Sequence, residues 1–164
     1  MDDITKQDEP NSDVVIVNKD KVLLDPKNLV FNEATLNKQL QEAGGWYNYY
    51  GQRLADAESI LQFREMTYDT TYSHAFVAAK AEGGTEKASE AKAKTDDSVE
   101  NAKLAVIGAK RVVKKLQQYM RALDKTHESV INFGYMLRKE MDKHQLQIRN
   151  YEERVDDIIK PVGS

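Results

Sequence analysis

The chain has 164 residues, 40% apolar and 31% charged, with 3 Pro, 8 Gly and no Cys. This balance belongs to a folded or coiled-coil chain, and it excludes a disulfide framework and any cysteine-based metal site. The net charge of −3 is unevenly placed: residues 1–33 and 34–100 each carry −4, residues 101–149 carry eleven basic and four acidic side chains, and residues 150–164 carry −2.

Residues 1–12 are polar and acidic and are expected to form a disordered tail. They contain no apolar stretch of signal-peptide kind. No apolar run anywhere approaches the roughly 20 residues of a membrane span, so a cytoplasmic protein without membrane partners is expected. Residues 13–31 form an arm. Its two β-rich runs, either side of Asn18-Lys19-Asp20, predict a small hairpin, with an extended arm as the alternative. An isolated hairpin is marginal in water, so it must dock on helices or pair with another subunit.

Residues 32–160 predict a helical domain. A first helix over about 32–82 opens at Asn32, a good N-cap followed by Glu33. Its apolar positions, Leu36, Leu40, Ala43, Tyr47, Tyr50, Leu54, Ala57, Leu61, Tyr68 and Ala75, follow heptad spacing. Gly44-Gly45 falls inside this pattern without shifting its register, which favours continuity or a small kink. Gly83-Gly84 supplies the C-terminal stop. A short helix is predicted over 85–94 and a long one over 97–159, capped by Thr95 and Asp96 and ended by Pro161. At 1.5 Å per residue the long helix spans roughly 90 Å. The fold class is all-α: a long antiparallel helical hairpin or coiled coil with a short connecting helix and the N-terminal arm.

The seam of the long helix runs from Val99 to Ile158 in unbroken steps of three and four. Val113, Leu116, Met120, Leu123, Val130, Leu137, Met141 and Ile148 on this seam are assigned to oligomerisation. Flanking Val112, Tyr119, Ile131, Phe133 and Ile159 make the apolar stripe wider than a two-helix seam needs. Ala102, Ala109, His127, Gly134 and His144 would leave a lone pair poorly packed. Helices from other subunits are therefore expected, in a homo-oligomer.

Catalytic signatures are missing. There is no phosphate loop and no His-Glu-x-x-His, and His74, His127 and His144 are far apart. No enzyme activity, cofactor or metal is expected. The best functional signal is a basic stripe. At 100° per residue, Lys103, Lys110, Lys114, Arg121, Lys125 and Lys139 fall within about 60° of one another, flanked by Arg111 and Lys115. These eight residues are the candidate DNA-binding set. A row of cations along a rod can track a phosphate backbone without reading bases. The competing reading pairs this face with the acidic first helix or the acidic tail.

The cluster Trp46-Tyr47-Asn48-Tyr49-Tyr50 suits base stacking in principle, but Tyr47 and Tyr50 lie on the seam, so helix packing is the expected role and Tyr49 is the most available. The strings Gly45-Trp-Tyr-Asn-Tyr-Tyr50 and Leu54-Ala-Asp-Ala-Glu58, then Gly83-Gly-Thr-Glu86 and a long basic helix, resemble the phage recombination mediator family typified by UvsY of T-even phages. The resemblance covers about residues 29–143. It implies an oligomer that binds single-stranded DNA and helps load a RecA-like recombinase onto DNA coated by single-strand-binding protein, in the host cytoplasm. It transfers no catalytic residue and no DNA contact. The acidic N-terminal extension departs from the family's pattern.

Overall fold

The computed structural model describes residues 13–159, and the tail assigned to residues 1–12 lies outside them. The arm is a hairpin. Strands β1 (Asp13–Val17) and β2 (Asp20–Leu24) pair antiparallel, with Val15 opposite Val22 and Val17 opposite Asp20. The two linking residues, Asn18 and Lys19, both have positive φ, 52° and 71°. That backbone matches the twist of the flanking strands in a two-residue loop.

After two 3-10 turns, Pro26–Leu29 and Glu33–Thr35, come helices α1 (Leu36–Ala81), α2 (Glu86–Lys94) and α3 (Asp97–Ile159). Asn32 does cap, but it caps the second 3-10 turn: its side chain accepts from the Thr35 amide, and Thr35 Oγ1 accepts from the Asn32 amide. α1 therefore starts at Leu36, one short turn later than expected. It runs unbroken through Gly44-Gly45 for 46 residues. Gly83, at φ +86°, turns the chain out of α1, a conformation open to glycine without strain. Gly84 sits close to α2: a Cβ there would lie 3.1 Å from Ser89 Oγ, a tight contact that the serine side chain would have to relieve. Thr85 caps α2, and Asp96 caps α3 through the Ser98 amide and hydroxyl.

α1 and α3 lie antiparallel. Leu36 lies opposite Gly134, Tyr47 meets His127, Gln117 donates to Glu58 at 3.2 Å, and Lys110 pairs with Glu65. One core joins Val15, Val17, Val22 and Leu24 of the hairpin to Tyr50 and Ala57 of α1 and to Val113, Leu116, Tyr119 and Leu123 of α3. The hairpin thus stabilises itself by burying one apolar face on the helix pair, which offsets the weakness of two strands alone.

The chain's own arm covers much of the wide apolar stripe of α3, although Ile131 stays exposed. Tyr119 donates to the carbonyl of Asp25 at 2.8 Å, Val112 packs on the shared core, and Phe133 meets Phe31 edge to face at 6.0 Å. The oligomerisation set also divides. Val113, Leu116, Leu123 and Val130 are buried within the chain, and Met120 packs on the same core. Within the chain, α1 and the arm occupy this part of the seam. Leu137 is half-buried, while Met141 and Ile148 are 64% and 58% exposed. The reason is geometric: α1 begins opposite Gly134, so the last 25 or so residues of α3 project roughly 37 Å beyond it. Tyr135, Met136, Met141, Leu146, Ile148 and Tyr151 are all exposed on that projection.

Candidate nucleic-acid interface

The basic row follows the geometric period of a helix, 3.6 residues, whereas the seam follows the packing period, 3.5. The two drift apart by ~20° per heptad. Lys103, Arg121 and Lys139 are 18 residues apart, five full turns, so they stay in line along α3 while the α1 side rotates away. Near the start of α3 the row runs beside α1. There Lys110 Nζ lies 2.9 Å from Glu65 Oε1, and Lys103 shares a cleft with Glu65, Tyr68 and Asp69.

Lys103, Lys110, Arg111, Lys114, Arg121, Lys125 and Lys139 are all exposed. Of the row itself, Lys110 alone forms an ion pair with another described residue. Lys115 does not belong with them. It is half-buried on the arm side of α3, in a cleft of about 260 Å³ with Leu24, Pro26, Leu29 and Tyr119. The structure thus brings together a line of cations on one edge of the rod and separates Lys115 from it. The acidic first helix neutralises one member of the line.

The aromatic cluster is used in packing. Tyr50 is buried with its ring centroid 4.6 Å from that of Tyr119. Its hydroxyl donates to Leu23 O at 2.9 Å. Tyr47 packs edge-on to His127 at 6.0 Å. Burial, and then a hydrogen bond to Asp124, push the Tyr47 hydroxyl up to about 12. Tyr49 is exposed, with the Arg53 guanidinium 5.5 Å from its ring centroid. Arg53 also reaches Asp20 at 3.1 Å and so ties the hairpin turn to α1.

A second aromatic group escaped the heptad reading. Tyr68, Tyr72 and Phe76 form a near-parallel series on α1, with ring centroids 6.3 and 6.5 Å apart and planes 25° and 19° apart. Lys80 Nζ continues it, 5.9 Å from the Phe76 ring. The four residues are spaced every fourth position, which places side chains on one helix face. That signal was present in the sequence, but heptad steps took Tyr68 alone and passed over the rest.

Among the described residues there is no group of three or more His, Cys, Asp or Glu able to hold a metal, and no helix long and apolar enough to cross a membrane. Comparison with known proteins returns no matching family model, no matching curated protein and no matching solved structure.

Proposed function

We propose that this chain is an oligomeric single-stranded-DNA-binding recombination mediator, which helps load a RecA-like recombinase onto DNA coated by single-strand-binding protein. The observation that carries the DNA-binding part is the line of exposed cations from Lys103 to Lys139, of which one is neutralised by an ion pair within the described residues. Most exposed helix faces mix signs, because opposite charges four residues apart are mildly stabilising. Between Lys103 and Lys125 this face mostly forgoes such mixing, before exposed Glu128 interrupts the row ahead of Lys139, and a face of that kind suits a polyanion. The mediator role rests on the resemblance of the Trp46–Tyr50 and Leu54–Glu58 strings and of the helix order to the UvsY-typified family. The oligomer is supported by the uncovered apolar residues at the end of α3.

Fluorescence anisotropy with labelled oligo-dT at moderate salt tests the reading. Binding should weaken steeply with salt, each phosphate contact adding ~0.7 to the log–log slope. Replacing Lys114, Arg121 and Lys125 together with Glu should abolish binding and leave helicity unchanged. Unchanged affinity in that variant sinks the assignment. The second reading is a coiled-coil adaptor without nucleic acid. It is favoured by the Lys110–Glu65 pair, which spends one cation internally. No binding of the wild type to oligo-dT at low salt would select it.

A further inference from the structure

We infer that Tyr68 is a base-stacking platform for single-stranded nucleic acid, with Tyr72 and Phe76 as its rigid backing and the α3 cations alongside as its phosphate track. The inference rests on the DNA-binding reading above and adds a site to it.

The geometry selects Tyr68 from the series. Rings 6.3 and 6.5 Å apart cannot admit a base between them, since two aromatic contact distances need roughly 7–8 Å. A base can therefore stack only on a ring that opens onto a cleft. Tyr68 is such a ring. It lines two surface clefts, one of about 410 Å³ shared with Glu65, Asp69, Lys103, Val106 and Lys110, and one of about 510 Å³ shared with Lys94, Val99, Glu100, Lys103, Leu104 and Ile107. Lys103 lines both, and it is the first residue of the cationic row. Leu104 and Ile107 are exposed beside it, giving the larger cleft an apolar wall for a base face. The i,i+4 stacking of Tyr72 behind Tyr68 restricts the ring before any ligand arrives, which lowers the ordering cost of binding.

The charges sort the ligand's parts. Asp69 and Glu100 in these clefts repel phosphate, and Glu65 is already held by Lys110. Carboxylates can, however, accept from base donors, the amino group of cytosine or the N3–H of thymine. Bases are thus drawn toward Tyr68 while the backbone is kept on the outer row, Lys103, Lys114 and Arg121. A structural role alone, helix stapling by aromatic pairs, accounts for the series but not for clefts that open on Tyr68 and are lined by lysines together with carboxylates.

The test compares oligo-dT with an abasic oligonucleotide of equal length and charge, on the full chain. Wild type should bind oligo-dT on the order of tenfold more tightly. Tyr68→Leu should bring oligo-dT down to the abasic value without changing the salt slope, and Tyr68→Phe should keep the preference. Equal binding of the two oligonucleotides by wild type, or an undiminished preference in a folded Tyr68→Leu, overturns the platform and leaves phosphate binding standing. Failure of wild type to bind either one overturns both readings. Should Tyr68→Leu fail to fold, photocrosslinking of wild type to 5-iodo-deoxyuridine oligonucleotides decides. A crosslink on Tyr68 supports the site, and crosslinks confined to Tyr49 or Tyr135 refute it.

Discussion

Tyr50 and Tyr119 meet across the α1–α3 interface and both hold the N-terminal arm by its backbone: Tyr50 donates to Leu23 O at 2.9 Å, and Tyr119 donates to Asp25 O at 2.8 Å. Asn28 Nδ2 donates to the Tyr119 oxygen at 3.2 Å, closing the group. Removing the Tyr119 hydroxyl would leave the part-buried Asp25 carbonyl without its partner and the Asn28 amide with only its longer contact to the Tyr50 hydroxyl at 3.5 Å. Tyr119→Phe should therefore destabilise by about 1–2 kcal/mol. The loss should fall first on the arm, so amide exchange over residues 14–24 should accelerate more than exchange in the middle of α1. Uniform acceleration would show that the arm and helix pair unfold as one unit.

Tyr119 and Tyr47 make stability fall at alkaline pH. Burial raises the Tyr119 hydroxyl above its ordinary value, and Tyr50 raises it further. Tyr47 is pushed up to about 12, by burial first and then by Asp124. A folded pKa above the unfolded value of about 10 means that the folded state keeps a proton which the unfolded chain releases. The contribution is present in full below pH 10 and is lost as pH rises through the folded value, about 12 for Tyr47 and higher for Tyr119. The urea midpoint should be flat between pH 8 and 9 and decline above 10, by less than ~1.4 kcal/mol per pH unit for each hydroxyl. Tyr47→Phe should shallow that decline, and an identical decline in this variant would assign it to other groups.

Lys19 occupies a left-handed conformation at φ 71° in the hairpin loop, which a side chain adopts at a cost and glycine does not. Asn-Gly is the favoured pair for this loop. Lys19→Gly should stabilise the hairpin by a few tenths to about 1 kcal/mol. Thermal melting and arm exchange read the effect, and a lower melting temperature would show that the Lys19 side chain contributes something the loop geometry does not reveal.

The heptad steps made the helix pair, its antiparallel course and its limits legible in the sequence, because burial itself dictates a 3.5-residue period. The identity of the covering partner was not legible. A seam residue such as Leu116 and one such as Ile148 carry the same pattern, although the first faces α1 and the second faces nothing described. What separates them is the starting point of α1 opposite Gly134, a fact of length rather than of pattern. That the hairpin must dock on helices or on another subunit was legible, but where it docks was not. That place depends on pairs far apart in the chain, such as Tyr119 with Asp25, and on hydroxyl-to-carbonyl bonds that leave no periodic mark. The cationic row was legible from helical geometry alone, whereas the pairing of Lys110 with Glu65 and the removal of Lys115 to the arm side needed the partner elements in place.

The division of the α3 seam gives the last prediction. Leu116 has no exposed surface, so Leu116→Ala should cost about 2–5 kcal/mol in chain stability. Met141 and Ile148 lie on the projection, exposed, so Met141→Glu with Ile148→Glu should change the single-chain fold little. If the projection mediates self-association, as proposed, that double variant should sediment as a smaller species than wild type. The association should be apolar in origin, since burying a Met and an Ile is worth about 1.5–3 kcal/mol each, and two copies supply the pair twice. The melting temperature of wild type should then rise with concentration while that of the double variant should not. An unchanged sedimentation coefficient would move the assembly face off the end of α3. Loss of assembly in Leu116→Ala at temperatures where the chain remains helical would place it back on the buried seam, through a rearranged α1–α3 pair.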